Sequence, residues 1–316
     1  MRILVALGGN AMTNAEGRAR PEDQIAAAAV AANRIADLVL AGHDVVITHG
    51  NGPQVGNLLV KNELAAHVVP PVPLDWCGAQ TQATLGFVLS NALDKALLDR
   101  GIDRHTAVVV TRTLVRWDDP GFADPSKPIG RYLPAEQAQV LIAHGETWRD
   151  FGTPTDPDRG WRRVVASPEP LAIVDSAPIL TLVGAGLLVI AGGGGGAPVV
   201  VDAEGELHGV EAVIDKDLGA ALLGGILGVD MLLIATDVPN VMIDFGTDSA
   251  RPLGHVMADE LAGHLHDGQF GAGSMGPKVT AALRFVTSAR KRAAICALDD
   301  IAKAATGLAG TVVLPV

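Results

Sequence analysis

The chain has 316 residues, enough for one large domain or two lobes around a substantial core. Its formal net charge is −11, from 24 basic and 35 acidic residues, which argues against binding to a nucleic-acid backbone. Only 4 Trp, 1 Tyr and 6 Phe are present, too few for a surface that stacks single-stranded bases. Glycine, by contrast, reaches 37 residues, so we expect many tight turns or close approaches to a ligand.

The cysteines and the apolar stretches exclude further classes of protein. Cys77 and Cys296 are isolated, which predicts neither a disulfide framework nor a structural zinc site. The uncharged stretch 176–201 contains two prolines and five consecutive glycines, which a lipid-exposed helix could not accommodate. The first residues include one basic residue and too short an apolar run for a signal peptide. We therefore expect a soluble cytoplasmic protein.

Short aliphatic runs alternate with longer helical segments along the chain. In chain order, the predicted strands are Ile3–Leu7, Val45–Thr48, Ala107–Thr111, Leu187–Ala191, Met231–Ala235, Ala294–Ala297 and Thr311–Leu314. The predicted helices are Pro21–Leu40, Gln54–Ala66, Ala79–Leu98, Asp217–Leu227, Ala258–His266 and Pro277–Ser288. The nearly continuous Val, Ile, Leu and Ala in the strands is typical of strands covered on both faces. This alternation predicts an α/β protein with a mainly parallel sheet and right-handed crossovers.

Residues 118–170 interrupt the alternation and are rich in proline and charged residues. We interpret them as an irregular insertion or a small lid subdomain, called the insertion below. The predicted organisation is therefore 1–117, the insertion 118–170, and 171–316.

Four glycine-bearing loops stand at predicted strand ends or before a helix: residues 8–10, 49–54, 192–196 and 271–278. Ligands of open α/β sheets bind outside the carboxyl ends of the strands. Glycine lets backbone N–H groups converge on an anion, and a following helix adds partial positive charge. One such loop is most often an ordinary turn, but four on one sheet favour an anion-binding site.

Three lysines stand in special settings in a chain that otherwise favours arginine. Lys127 lies between prolines, Lys216 lies between two aspartates, and Lys278 follows Pro277 behind a glycine loop. A compact ammonium group suits a single transferring oxygen better than a forked guanidinium does. Together with the anion-binding loops, these lysines predict phosphoryl transfer, in which catalysis is mostly positioning and charge neutralisation.

Competing motifs are weaker. The P-loop is absent, because no lysine follows a glycine. Residues 192–197 satisfy a dinucleotide fingerprint, but Pro198 and the valines after it cannot open the required helix, which disfavours a dehydrogenase. The loop 272–276 imitates a nucleophile elbow without a preceding strand. His49 is interpreted as a packed residue at a strand end.

Seven strings resemble those of the carbamate kinases in the amino-acid-kinase superfamily, in the same order and across essentially the whole chain. They are ALGGNA at 6–11, HGNGPQVG at 49–56, KPIG at 127–130, GGGGAPV at 193–199, GVEAVIDKD at 209–217, GSMGPK at 273–278 and GTVV at 310–313. The resemblance implies an open αβα sandwich with a mainly parallel sheet, usually as a homodimer. It also implies that 1–117 binds the acceptor, that the insertion protrudes as a lid, and that 171–316 binds the nucleotide.

The implied reaction is ATP + carbamate ⇌ ADP + carbamoyl phosphate, with Mg²⁺ carried by the nucleotide, in carbamoyl phosphate or arginine metabolism. The implied catalytic residues are Lys127, Lys216, Lys278, Asp215 and Asp217. The implied contacts of the acceptor and the transferred group are Gly8, Gly9, Asn10, Gly50 and Asn51. The implied contacts of the nucleotide are Gly194, Gly195, Thr236, Asp237, Val241, Met242, Ser274 and Met275.

Departures from the family pattern leave alternatives open. Met242 stands where an aromatic residue is frequent, and Ala83 replaces a glycine after Thr81-Gln82. Arg131 and Ala197 also depart from the pattern. A kinase for another small carboxylate or phosphonate acceptor, and a non-catalytic nucleotide or oxyanion binder on the same fold, are the alternatives.

Overall fold

A computed structural model describes residues 1–8, 20–152, 160–271 and 275–316. The helices in that part of the chain are α1 (Pro21–Leu40), α2 (Gly52–Ala65), α3 (Leu74–Asp99), α4 (Pro120–Ala123), α5 (Ala135–Ala143), α6 (Ser176–Gly184), α7 (Lys216–Ile226), α8 (Ala258–His266), α9 (Met275–Ala289) and α10 (Ile301–Ala305). The strands are β1 (Arg2–Leu7), β2 (Asp44–His49), β3 (Thr106–Val108), β4 (Arg112–Leu114), β5 (Lys127–Leu133), β6 (Trp148–Asp150), β7 (Trp161–Val165), β8 (Ala172–Ile173), β9 (Leu188–Ile190), β10 (Ala197–Val201), β11 (Leu207–Gly209), β12 (Met231–Thr236), β13 (Met242–Ile243), β14 (Arg251–Pro252), β15 (His255–Met257), β16 (Arg292–Ala297) and β17 (Thr311–Leu314).

The centre of the fold is an eight-stranded sheet in the order β15-β17-β16-β12-β1-β2-β9-β3. Neighbouring strands are parallel except for β16 and β17, which are antiparallel. All seven predicted strands lie in this sheet, so the predicted α/β class with a mainly parallel sheet is confirmed. Fully buried aliphatic side chains fill the inner strands β1, β2, β9, β12 and β16, because helices cover both faces of the sheet there.

The two faces of the sheet form two separate apolar cores. Along β1, Leu4 and Ala6 pack into the core beneath α6, α7, α8 and α9. Ile3, Val5 and Leu7 point the opposite way, into the core beneath α1, α3 and α10. This alternation along one strand gives the three layers of an αβα sandwich. Within the described part of the chain, none of the helices combines the length with the apolar character that a membrane span requires.

Several element bounds differ from the sequence prediction. α3 begins at Leu74 rather than Ala79, directly after Pro73, and Leu74 and Cys77 in its first turn are buried. α6 was not predicted, because its sequence has one proline, ends in a glycine and carries no charge. Its Pro178 lies in the first helical turn, where the missing N–H is not needed. β3 ends at Val108, three residues before the predicted end.

The insertion forms its own antiparallel sheet, in the order β5-β7-β6, together with α4 and α5. Its two ends are joined by the antiparallel pair β4 and β8, beside which Arg112 and Asp175 form an ion pair at 2.7 Å. Both features are expected of an inserted unit, which needs a sheet of its own and has its two ends close together. The boundaries 118–170 themselves stay a prediction.

The insertion packs against α2 through two glycines. A Cβ built on Gly56 of α2 would lie 2.1 Å from the Cα of Gly130 in β5, so the two backbones touch. Val55 and Ile129 are buried beside this contact. At its edge, Arg163 of β7 pairs with Glu63 of α2 at 3.1 Å. The contact fixes the position of β5, whose first residue is Lys127.

Candidate active site

The loops that follow β2 and β9 enclose a small cavity together with the starts of β5, α7 and α9. The loop after β2 carries Gly50 and Asn51, and the loop after β9 carries Gly194. The cavity has a volume of about 200 Å³, and its lining includes Gly50, Asn51, Lys127, Gly194, Asp215, Lys216, Asp217 and Lys278. We call it the transfer cavity. It lies where open α/β sheets bind ligands.

The glycine run 192–196 is held by hydroxyl groups of the surrounding strands. Thr48 Oγ1 donates to Gly192 O at 2.8 Å, and Thr113 Oγ1 donates to Gly195 O at 2.7 Å. Gly194 has a φ of +63°, and a Cβ there would lie 2.2 Å from Asn51 Nδ2. Glycine is therefore required at 194 both for its backbone conformation and for the space that the Asn51 amide occupies.

Three lysines meet two aspartates at the start of α7. Asp215 caps this helix, because its Oδ1 accepts from the N–H groups of Asp217 at 2.9 Å and Leu218 at 3.2 Å. Its other oxygen accepts from Lys127 Nζ, which reaches across from the insertion.

Asp217, the second aspartate, accepts from Lys216 Nζ on one oxygen. Lys278 Nζ donates to the other at 3.2 Å. The structure thus brings together all five predicted catalytic residues.

The charges of this cluster shift its pKa values. Burial raises the pKa of Asp217, but the ammonium groups of Lys216 and Lys278 outweigh it and hold the pKa at about 2. Burial lowers the pKa of Lys216, against the opposing attraction of Asp217. Burial, together with the nearby charge of Lys216, lowers the pKa of His49 to about 4. Asp217 is therefore ionised and His49 neutral near pH 7.

His49 is packed as the sequence predicts. The ring is buried, and its Nδ1 lies 3.0 Å from Gly50 O. A Cβ on Gly193 would lie 2.5 Å from the ring Cε1. The imidazole therefore supports the two glycine loops from below.

A second cavity of about 780 Å³ adjoins the first at Lys278, which lines both. We call it the outer cavity. Of the predicted nucleotide contacts, it is lined by Thr236, Asp237, Met242 and Met275. It is also lined by Gly8, which was predicted to contact the transferred group.

Three predicted nucleotide contacts are placed differently. Gly194 lines the transfer cavity and not the outer cavity. Val241 is buried in the core, with its N–H donating to Thr311 Oγ1 at 2.9 Å, and does not line the outer cavity. Gly195 lies behind Gly194, where a Cβ would meet the side chain of Ile214 at 2.6 Å. Gly9, Asn10 and Ser274 lie outside the described residues.

Sequence reasoning also missed residues of the site. Phe245, an exposed aromatic residue, lines the outer cavity three positions after Met242. The absence of the family's frequent aromatic residue at Met242 was a signal that could have found it. Thr81 and Gln82 of α3 are buried beside the transfer cavity, where Thr81 accepts from Asn51. Gln82 binds both backbone groups of Thr111, as donor at 3.0 Å and as acceptor at 2.8 Å.

Comparison with known proteins agrees with this arrangement. Residues 1–297 match the Amino acid kinase family. The carbamate kinase of Thermococcus kodakarensis is 43% identical to this chain over 316 residues, which cover 99% of each. The structure of the carbamate kinase from Giardia lamblia bound to citric acid is similar with a TM-score of 0.91 and 39% identity, covering 100% of this chain and 98% of that one. The same enzyme bound to AMP-PNP gives a TM-score of 0.89 and 38% identity, with the same coverage.

Proposed function

Because this chain belongs to the amino acid kinase family, we propose that it is a carbamate kinase that catalyses ATP + carbamate ⇌ ADP + carbamoyl phosphate. The observation that carries the proposal is the meeting of the two cavities at Lys278. The outer cavity has the size of a small-molecule site, and the transfer cavity holds three ammonium groups. A nucleotide in the first directs its terminal phosphate into the second.

In this proposal Lys216 and Lys278 neutralise the phosphoryl group as charge develops on it. Asp217 holds both lysines, so they need no reorganisation during the transfer. Lys127 leaves Asp215 to contact the acceptor oxygens or the product phosphate from the insertion. Positioned charge of this kind is the main contribution of a protein to phosphoryl transfer.

The acceptor needs no general base. Carbamate already carries its attacking oxygen as an anion, and no proton has to be removed before attack. His49 fits a supporting role, since it is buried and neutral with its Nδ1 directed at a backbone carbonyl. The backbone around Gly50 and Gly194 forms the cradle of the acceptor and the transferred group.

Magnesium fits as an ion brought by the nucleotide. The carboxylates of the transfer cavity, Asp215 and Asp217, are both already engaged by lysines. The described residues of the cavity therefore offer no dedicated cage for Mg²⁺, which commonly keeps its waters and binds through substrate phosphates. When bound in this way, it neutralises negative charge between the phosphates.

Further parts of the proposal rest on resemblance to the family. They are the homodimer, the cytoplasmic location, the place in carbamoyl phosphate or arginine metabolism, and the closure of the insertion over the acceptor. Light scattering tests the dimer, since a single species with the mass of one chain contradicts it.

The deciding experiment measures ATP formed from ADP and carbamoyl phosphate with Mg²⁺, by a coupled assay. We expect turnover well above the uncatalysed background. If carbamoyl phosphate gives none while another acyl phosphate, or the phosphorylated form of a phosphonate, supports turnover, the acceptor assignment is wrong. If nucleotide binds without any transfer, the protein is a non-catalytic binder.

A further inference from the structure

The hydrogen bonds of Asn51 single out one atom in the transfer cavity. Asn51 Nδ2 donates to Thr81 Oγ1 at 3.0 Å, and Thr81 Oγ1 donates in turn to Gly78 O at 2.6 Å. Both side chains are buried. Thr81 belongs to α3, whereas Asn51 precedes α2, so the network joins two different elements.

This network determines the orientation of the Asn51 amide, that is, whether Nδ2 or Oδ1 faces Thr81. A carbonyl oxygen carries no proton, so the 2.6 Å contact requires the single hydroxyl proton of Thr81 to point at Gly78 O. Thr81 Oγ1 can then only accept from Asn51. The group that faces it must be the NH₂ of the amide, which leaves Oδ1 on the other side.

The amide is also held in its plane. A Cβ on Gly194 would lie 2.2 Å from Asn51 Nδ2, 2.5 Å from Cγ and 2.8 Å from Oδ1, so the whole amide lies against the Gly194 backbone. Among residues 1–8, 20–152, 160–271 and 275–316, no group donates a hydrogen bond to Asn51 Oδ1. Asn51 and the three lysines line the same cavity, so a fixed, neutral acceptor shares it with three ammonium groups.

Carbamate has complementary chemistry at its two ends. Its carboxylate oxygens suit the ammonium groups, and its amino group carries two N–H donors. Resting on the proposed carbamate kinase activity, we propose that Asn51 Oδ1 accepts a hydrogen bond from the amino group of carbamate and of carbamoyl phosphate. Thr81 is then a positioning residue, which selects this acceptor by holding the amide the right way round.

Such a hydrogen bond would let the site select between acceptors of the same size. Acetate and acetyl phosphate carry a methyl group in place of the amino group, and they leave Asn51 Oδ1 unpaired. A site built around a hydrogen bond discriminates against an analogue that lacks the donor, because its own buried group then goes unsatisfied. A neutral amide achieves this without placing a second negative charge beside the carboxylate.

The test compares carbamoyl phosphate with acetyl phosphate as phosphoryl donors to ADP. The measured quantity is the ratio of their kcat/KM values, which does not depend on the fraction of active enzyme. Thr81→Val keeps the side-chain shape and removes the hydroxyl group, whereas Thr81→Ser keeps the hydroxyl group. We expect the ratio to fall about three- to tenfold in Thr81→Val, which is the value of one net hydrogen bond, and to stay within about twofold in Thr81→Ser.

If Thr81→Val lowers kcat/KM equally for both donors, the ratio does not change and Thr81 has a purely structural role. That result overturns the inference, as does a Thr81→Val variant in which neither kcat/KM value changes. A loss of selectivity in Thr81→Ser that matches Thr81→Val contradicts the role of the hydroxyl group. The unmodified protein supplies a test that needs no variant: equal kcat/KM for the two donors overturns recognition of the amino group while the kinase activity stands. Absence of turnover with carbamoyl phosphate refutes the proposed function instead.

Discussion

The contact between Gly56 and Gly130 tests whether the insertion must sit where the structure has it. In Gly56→Ala, the new methyl carbon would lie 2.1 Å from Gly130 Cα and 2.4 Å from Gly130 N. Both are backbone atoms and cannot rotate away. Because carbon atoms in contact lie about 3.5–4.0 Å apart, β5 must move away from α2 by more than about 1 Å.

That movement displaces Lys127, which lies three residues before Gly130 on the same strand. A misplacement of about 1 Å at a catalytic group costs about 10²-fold in rate. We therefore expect kcat/KM for carbamoyl phosphate to fall about 10²-fold in Gly56→Ala. Lys127→Ala should show a comparable loss, dominated by KM for carbamoyl phosphate, and KM for ADP should change less than twofold in both variants.

Gly263→Ala is the matched control, because Gly263 lies in α8 with no heavy atom within 4 Å of the added Cβ. Steady-state assays in the direction of ATP synthesis compare the three variants with the unmodified protein. A Gly56→Ala variant that folds and retains kcat/KM within about threefold would refute the reasoning, since the position of the insertion would then not matter to the reaction.

The remaining predictions concern the lysine–aspartate cluster and the glycine run. Lys216→Ala and Lys278→Ala should each lower kcat at least about 10²-fold in the same assay, as loss of a preorganised charge does. Asp217 has a pKa of about 2 in the folded protein, against 3.8 for an ordinary aspartate such as that of the unfolded chain. Between these two values the folded state binds fewer protons than the unfolded state. The resulting stability is fully present above about pH 4 and is lost as the pH falls toward 2. Urea unfolding should show the stability advantage over Asp217→Asn shrinking by about 2 kcal/mol from pH 5 to pH 2.5. Gly194→Ala should abolish turnover and lower the melting temperature, because it strains a positive φ and displaces the Asn51 amide.

For each of these predictions, one result would contradict the reasoning. Near-normal kcat in both lysine variants contradicts their role in the transfer. A stability difference that is the same at pH 5 and pH 2.5 contradicts the assigned pKa of Asp217. Normal turnover in Gly194→Ala contradicts the tight packing of the loop, and Gly184→Ala, where an added Cβ has no neighbour within 4 Å, is its control.

The central sheet was predictable because burial on both faces leaves a direct mark on sequence. The strands of that sheet are short and mostly aliphatic, except β15, whose sequence His-Val-Met gave no such signal. α6 was missed because packing against β9, not local propensity, determines it. Helix formation from tertiary contacts overrides weak propensity and leaves little trace in the local sequence.

The sequence predicted the individual residues of the site but not which of them contact each other. Glycine loops and isolated lysines mark the chemistry, and Lys216 lies next to Asp217 in the chain. That Lys127 pairs with Asp215 depends on how the insertion folds back, which spacing does not specify. The bond from Asn51 to Thr81 was equally out of reach, because it depends on the depth at which α3 packs.

The place of β1 at the centre of the sheet has a consequence for synthesis on the ribosome. β1 pairs with β2 on one side and with β12 on the other, so that Ile3 lies opposite both Val45 and Met231. β1 is synthesised first, and the edge that pairs with β12 therefore stays unpaired until about two hundred further residues have emerged. Pairings between such distant segments form slowly, and an open apolar edge invites association with other chains. During its synthesis, the nascent chain thus has its greatest need of a chaperone before β12 emerges.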